Sequence, residues 1–333
     1  MRVIPPDFPN TVLAVRQTSE LAHIKTKLLQ KFDKTLSDDL NPQPMKCTPM
    51  SIALDDNASP TCVTTARRVP KHFEPESKKT VNELIERGVI TPVEEATTWC
   101  SPAFFVPKAD GRRVRLVTDF TGLNKYVRRP THPFPSTREI IEAIPPEAKL
   151  FCKIDAVLGY FQLALDERSS KLTTFLIPQG RFRYLRAPMG LNASSDEWCR
   201  QSDIIIAGLP YAMKIVDDTI IWASNEAELE ERITTVLQRC ADNNITISRK
   251  KFELGRTIQF AGHIISDGGI RPDDDKFAAL REFKKPANVK ELCSFLGLVA
   301  QFGAFAPDTA CLTSHLRQLL QKETPWVLSL IHI

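Results

Sequence analysis

The 333-residue chain is poor in the side chains that zinc and most redox-metal sites require. It has six histidines, and its eight cysteines (47, 62, 100, 152, 199, 240, 293 and 311) form no Cys-x-x-Cys pair and have no histidine at ligand spacing. This argues against a zinc module or a disulfide scaffold, and points to small buried thiols in a reducing compartment. No apolar run approaches the roughly 20 residues of a membrane helix. The N-terminus, Met1-Arg-Val-Ile-Pro-Pro-Asp7, has no signal-peptide core. An intracellular chain without a membrane partner is therefore expected. There is no internal repeat and no low-complexity tract.

What the chain does have is ordinary globular composition, 42% hydrophobic and 25% charged residues, enough for about two domains with real cores. The net charge of +4 permits a nucleic-acid partner without requiring one. Residues 1 to about 70 read as linker or extended arm, interrupted by an amphipathic stretch from Glu20 to Phe32. A helix is expected from Glu76 to Arg87, capped by Gly88. Ala103–Pro107 and Val114–Phe120 read as strands joined by the turn Lys108-Ala-Asp-Gly-Arg112. Ser136 is placed to cap a short helix from Thr137 to Ile144. Further on come a strand ending at Asp155, a helical turn from Val157, a hairpin around Gln179-Gly180 and a helix from Ser194 to Leu209. A helix from Glu226 to Asn243, a strand Ile245–Ser248 and strand segments at 259–265 and 270–271 follow. Helices around Asp274–Phe283 and Val289–Phe305 close the chain. This order predicts an α+β fold with helices on one face of a mixed-origin sheet.

One stretch carries chemistry: Lys214-Ile-Val-Asp-Asp-Thr-Ile-Ile-Trp-Ala223. Two β-prone runs flank a polar tip, Asp217-Asp218-Thr219, which reads as a hairpin. Adjacent acids repel and raise each other's pKa, a cost that a bound divalent cation removes. The bland alternative is a solvated acidic turn. If the strand ending at Asp155 lies beside this hairpin, three carboxylates meet at one edge. Such a set can hold two magnesium ions for in-line phosphoryl transfer, with no need for histidine or cysteine.

Nine segments in order make the sequence resemble the reverse transcriptases of gypsy-like long-terminal-repeat retrotransposons, over roughly Phe73 to Pro325. They are Gly88-Val-Ile90, Ser101-Pro-Ala-Phe-Phe-Val-Pro-Lys108, Arg115-Leu-Val-Thr-Asp-Phe-Thr-Gly-Leu-Asn124 and Phe151-Cys-Lys-Ile-Asp-Ala-Val-Leu-Gly-Tyr-Phe-Gln162. The others are Ala187-Pro-Met-Gly-Leu191, Ile215-Val-Asp-Asp218, Phe260-Ala-Gly-His-Ile-Ile265, Gly269-Ile-Arg-Pro272 and Val289-Lys-Glu-Leu-Cys-Ser-Phe-Leu-Gly-Leu298.

The resemblance implies a right-hand polymerase: fingers, a palm with a ferredoxin-like sheet, and the start of a thumb or connection. The divisions it suggests are fingers and palm at 71–266, thumb or connection at 267–327 and a candidate artefactual tail at 328–333. It implies RNA- or DNA-templated DNA synthesis from a primer, with deoxynucleoside triphosphates and two Mg2+ ions (or Mn2+). Asp155, Asp217 and Asp218 take the catalytic and metal-binding positions, with the backbone of Ala156 as a further metal contact. Tyr160 matches the ring that excludes a ribose 2′-hydroxyl, against the bland reading of a core aromatic. Lys108 and Arg115 match the triphosphate clamp, and Met189 the residue against the nucleotide. Phe260, Gly262 and His263 match the primer grip. Lys250 is the candidate proton donor to the leaving pyrophosphate, with Lys251 its near-equal rival.

Three departures stand out. Ile215 replaces the family's tyrosine, Thr121 stands where arginine is frequent, and Asn192-Ala-Ser-Ser-Asp-Glu-Trp198 replaces the more usual Asn-Ala-Pro-Ala-Thr-Phe. A carboxylate in that last segment is expected to weaken template attraction slightly. The family's ribonuclease H domain would begin beyond Trp326, so a piece of a longer polyprotein, also bearing ribonuclease H and integrase, is the expectation. Its expected location is the cytoplasm or a virus-like particle, with the nucleus as an alternative. Two rival readings are an inert element remnant that only binds nucleic acid, and another palm-type enzyme such as a cyclase. A cyclase has no use for a template clamp or a primer grip.

Overall fold

The computed structural model describes residues 21–108, 111–273, 278, 280–300 and 309–321. Asp110 of the Asp-Gly turn, most of the stretch 274–279, residues 301–305 and the tail 328–333 lie outside them. The strands begin with β1 (Ile90–Pro92), β2 (Ser101–Pro107), β3 (Val114–Thr118) and β4 (Leu150–Asp155). Two hairpins follow, β5 (Phe175–Ile177) with β6 (Gly180–Tyr184), and β7 (Ala212–Ile215) with β8 (Asp218–Ala223). Then come β9 (Glu253–Gly255), β10 (Thr257–Phe260), β11 (His263–Ser266) and β12 (Gly269–Pro272).

They build three sheets, ordered β1-β6-β5-β2-β3, β7-β8-β4-β9 and β10-β11-β12. The second is antiparallel throughout, with helices Glu167–Leu172 and Asn192–Ser202 between β4 and β7 and helix Glu226–Asp242 between β8 and β9. That is the split β-α-β pattern expected for the palm. Side chains alternate across this sheet and both faces are covered. Cys152, Ile154, Ile221 and Ala223 point into the main core. Their neighbours Phe151, Ile220 and Trp222 instead meet Ile258, Phe260, Ile265 and Ile270 of the three-stranded meander. Helix Glu226–Asp242 closes the main-core side with a stripe of Leu229, Ile233, Val236, Leu237 and Cys240. Its start is fixed by Asn225, whose Oδ1 accepts from the Glu228 backbone N–H at 3.0 Å.

Local signals landed close to their elements. The helix expected from Glu76 runs Glu74–Glu86, because Pro75 is tolerated in the first turn. Ser136 caps Thr137–Ala143 in a reciprocal box with Glu139. The helix expected from Ser194 begins earlier, at Asn192, with no side-chain cap, and passes into a 3₁₀ turn after Ser202. The strand expected at 245–248 is reduced to bridges, Ile247 pairing with Leu36 and with Ala156. The meander runs to Pro272, past the division expected at 266.

The stretch read as linker or arm is part of the folded body from residue 21 onward. Leu21, Ile24, Leu28, Phe32, Leu36, Leu40, Met45, Met50 and Ile52 are all in the main core. Each such burial contributes roughly 1.5–3 kcal/mol before the entropy of ordering the segment is subtracted. Backbone bonds Met45 N–H to Gln162 O and Met50 N–H to Ala164 O, both 2.8 Å, lace the arm to the segment after Asp155. Among the described residues no helix is long and apolar enough to cross a membrane.

Candidate active site

Asp155 ends β4 directly opposite Asp218, the first residue of β8. Ile215 also pairs with Asp218, so the hairpin turns on Val216 and Asp217 alone. The tip is therefore not Asp217-Asp218-Thr219, as the sequence suggested; Asp218 and Thr219 already belong to the ladder. A two-residue turn of this kind needs a positive φ, and with no glycine present Val216 supplies it at φ 52°. A β-branched residue there is strained by an amount on the order of 1–3 kcal/mol. Two bonds hold the turn: the indole Nε1–H of Trp198 to Val216 O, and the Ala156 N–H to Asp217 O, each 3.3 Å.

The three carboxylates lie in different surroundings. Burial first, then Asp155 and Asp218, push Asp217 up to about 6. Burial also raises Asp218, with Lys153 opposing and Asp155 adding to the shift. Two lysines offset the crowding: Lys251 Nζ lies 2.9 Å from Asp155 Oδ2, and Lys153 Nζ 3.8 Å from Asp218 Oδ1. Oδ1 of Asp217 and Oδ1 of Asp218 are buried and accept no hydrogen bond. Buried anionic oxygens without a donor are costly, and hard carboxylate oxygens are the ligands magnesium prefers. Among the described residues no three His, Cys, Asp or Glu side chains are already gathered as a metal-holding set, and Asp155 gives one oxygen to Lys251. The donor chemistry fits a divalent cation; closing the set requires Asp155 to exchange Lys251 for it.

The structure brings several other residues to this edge. Ala156 is buried beside the turn. Tyr160 sits half-buried on the 3₁₀ turn Gly159–Gln162, its hydroxyl pKa raised by burial and then by Asp217. Gly159 is packed so closely that a Cβ there would lie 2.4 Å from Asp217 Oδ1 and 2.8 Å from the Trp198 ring. Of the two candidate lysines only Lys251 reaches the carboxylates. Lys250 is turned to the arm, its Nζ 3.7 Å from Asp38. Asp38 accepts from Ser248 Oγ at 3.0 Å and from the Lys250 N–H at 3.1 Å, pinning the turn that delivers Lys251.

The remaining residues lie elsewhere. Lys108 and Arg115 are exposed on the β2–β3 hairpin, Arg115 opposite Val106. Met189 is exposed, next to Gly190, whose carbonyl accepts from Asn124 Nδ2 at 2.8 Å. Ala261 and Gly262 form the β10–β11 turn with positive φ at both positions. Phe260 is a core residue under that turn, and His263 Nδ1 lies 3.1 Å from Ala261 O. Asp196, in the segment expected to weaken template attraction, is 3% exposed and accepts from Nε and Nη2 of Arg129 at 2.9 and 3.1 Å, while Glu197 pairs with Arg200.

Sequence reading passed over Lys153, Gly159 and Asp38. Lys153 had a signal, since it shares the strand face of Asp155 two residues away. Asp38 had none, because its contact spans the chain.

Residues 106–265 match the family described as reverse transcriptase (RNA-dependent DNA polymerase). That stretch is a reverse transcriptase domain. The chain is 30% identical over 249 residues to the transposon Tf2-3 polyprotein of Schizosaccharomyces pombe. It is also 30% identical over 258 residues to the retrovirus-related Pol polyprotein from transposon 297 of Drosophila melanogaster. These alignments cover 74% and 75% of the chain but 18% and 24% of the relatives' lengths. In fold the chain is similar to a foamy viral protease–reverse transcriptase in complex with double-stranded DNA. The TM-score is 0.80 at 20% identity, covering 99% of this chain and 60% of that one. All three carboxylates, Lys251 and the Trp198 contact fall inside the matched reverse transcriptase stretch.

Proposed function

We propose that the chain adds deoxynucleotides to a primer 3′-hydroxyl on an RNA or DNA template, as part of a retrotransposon Pol polyprotein. The observation that carries the reading is the facing pair Asp155 and Asp218 with Asp217 beside them. Two of their oxygens are buried without a donor, inside a reverse transcriptase domain.

Asp155, Asp217 and Asp218, with the backbone carbonyl of Ala156, are the groups that would hold a magnesium pair. When bound there, such a pair stabilises the attacking and leaving oxygens of an in-line displacement. With Asp155 holding such a cation, the Lys251 ammonium would be released from that carboxylate and would donate a proton to the leaving pyrophosphate, the role expected first of Lys250. The Tyr160 ring walls the sugar side and excludes a 2′-hydroxyl. Lys108 and Arg115 clamp the triphosphate, Arg115 by paired charge-assisted bonds. Met189 packs against the bound nucleotide. The tight Ala261-Gly262 turn lets backbone approach the primer, with Phe260 as its anchor in the core and His263 bracing its far side.

Single-nucleotide incorporation on a primed poly(rA) template tests this with dTTP and UTP offered separately. The wild-type chain is expected to incorporate dTMP in Mg2+ and to discriminate against UMP. Lys251→Ala is expected to slow dTMP addition by about a hundredfold, the usual scale of general acid catalysis. Lys250→Ala should stay within about twofold, because its partner is Asp38 on the arm. Equal losses in the two variants would remove the assignment of Lys251. Absence of incorporation by wild type would remove the function.

A further inference from the structure

We infer that Trp198 is a positioning residue for Asp217, acting by its indole N–H rather than by its bulk; the inference rests on the polymerase reading above. The turn that carries Asp217 has one soft motion. With Val216 held at φ 52°, the peptide plane between Val216 and Asp217 can still rotate, through Val216 ψ and Asp217 φ, without changing the Val216 φ. Because the peptide is planar, the same rotation would swing the Val216 carbonyl and the Asp217 N–H together and re-aim the Asp217 side chain. The Trp198 indole holds the carbonyl in place, Nε1 to O at 3.3 Å.

The donor is presented by a braced element. From β7, the buried Lys214 reaches helix Asn192–Ser202 and the turn after it. Its Nζ lies 3.0 Å from Cys199 O, 2.6 Å from Ser202 Oγ and 2.7 Å from Asp203 Oδ1. On the other side Arg129 grips Asp196 of the same helix. Trp198 is itself 1% exposed, and the missing side chain of Gly159 leaves room for the ring edge and the Asp217 carboxylate together. A phenylalanine in its place would fill most of the space but could not donate. The indole thus bonds the carbonyl of the peptide plane that leads into Asp217.

The decisive variant is Trp198→Phe, read first by Mn2+ titration of the nucleotide-free protein with paramagnetic resonance. The expected result is Mn2+ affinity lower by about tenfold, the factor one net hydrogen bond is worth, with Tm within a few degrees of wild type. In single-turnover primer extension, kcat should fall by a similar factor while KM for dTTP stays within about twofold. As a check on the wild-type protein itself, the Trp198 indole N–H resonance should be protected from exchange and shift on Mg2+ addition, with those of Trp99 and Trp222 unmoved. Wild-type Mn2+ affinity and wild-type kcat in a folded Trp198→Phe would overturn the inference, as would an unprotected Trp198 indole. Failure of the wild-type chain to extend any primer would instead count against the polymerase reading, and the Mn2+ and exchange measurements would still decide the role of Trp198.

Discussion

Asp217→Asn is expected to lower Mg2+-dependent primer extension by about a thousandfold or more, the scale on which removing a single electrostatic contributor to phosphoryl or acyl transfer is felt. The same change should stabilise the metal-free protein. Asp217 is mostly buried, and its raised value of about 6 means that the folded state binds its proton more tightly than the unfolded chain, where 3.8 applies. The ionised carboxylate therefore works against folding. That penalty is complete above about pH 6, shrinks as pH falls through the window from about 6 to 3.8, and is gone below it. In chelator at pH 7.5, Asp217→Asn should melt a few degrees above wild type, and the gap should close on acidification to pH 4. Saturating Mg2+ should close it at pH 7.5 as well, by stabilising wild type alone. A less stable Asp217→Asn would show that the carboxylate is paired by something else in the fold. Activity retained in that variant would remove Asp217 from the reaction.

Gly159→Ala carries the second large effect. The new Cβ would lie 2.4 Å from Asp217 Oδ1 and 2.8 Å from Trp198 Cε2. The carboxylate can swing away, but the indole is locked in the core, so the helical turn bearing Tyr160 must shift. Overpacking of this kind costs about 1–3 kcal/mol, and misplacing reacting groups by about 1 Å costs on the order of a hundredfold in rate. The expectation is a lower Tm together with a kcat reduced by about a hundredfold. The rate loss should persist at temperatures well below the melting transition. Wild-type kcat in Gly159→Ala would mean that the close approach has no part in placing Asp217.

The reach of sequence reading differed by element for physical reasons. Alternation in Leu150–Asp155 and Lys214–Ala223, with acids breaking apolar runs, marked the two strands whose pairing makes the site. It did not give the turn. A valine at positive φ is a choice the rest of the fold imposes, so the tip was displaced by one or two residues from where propensity puts it. Adjacent Lys250 and Lys251 were equivalent as letters; only Asp38, more than two hundred residues earlier, separates them. The same holds for the arm. Its first buried residues, Leu21, Ile24 and Leu28, have helical spacing and lie at helix Ala22–Lys31, but those from Leu36 to Ile52 are spaced irregularly between prolines and polar residues. Their burial is a property of the surfaces they cover. Asp196 looked like a surface charge near template because helix position cannot be read without the partner, Arg129.

The central claim is that these carboxylates support templated DNA synthesis. The most direct test is Mg2+-dependent extension of oligo(dT) on poly(rA) by the intact 333-residue chain, with dTTP as the sole nucleotide. The expected result is a ladder of extended primer that disappears in chelator, in Asp217→Asn and when dGTP replaces dTTP. Binding of the primed template without any extension, in protein whose wild-type fold and Mn2+ affinity are verified, would contradict it.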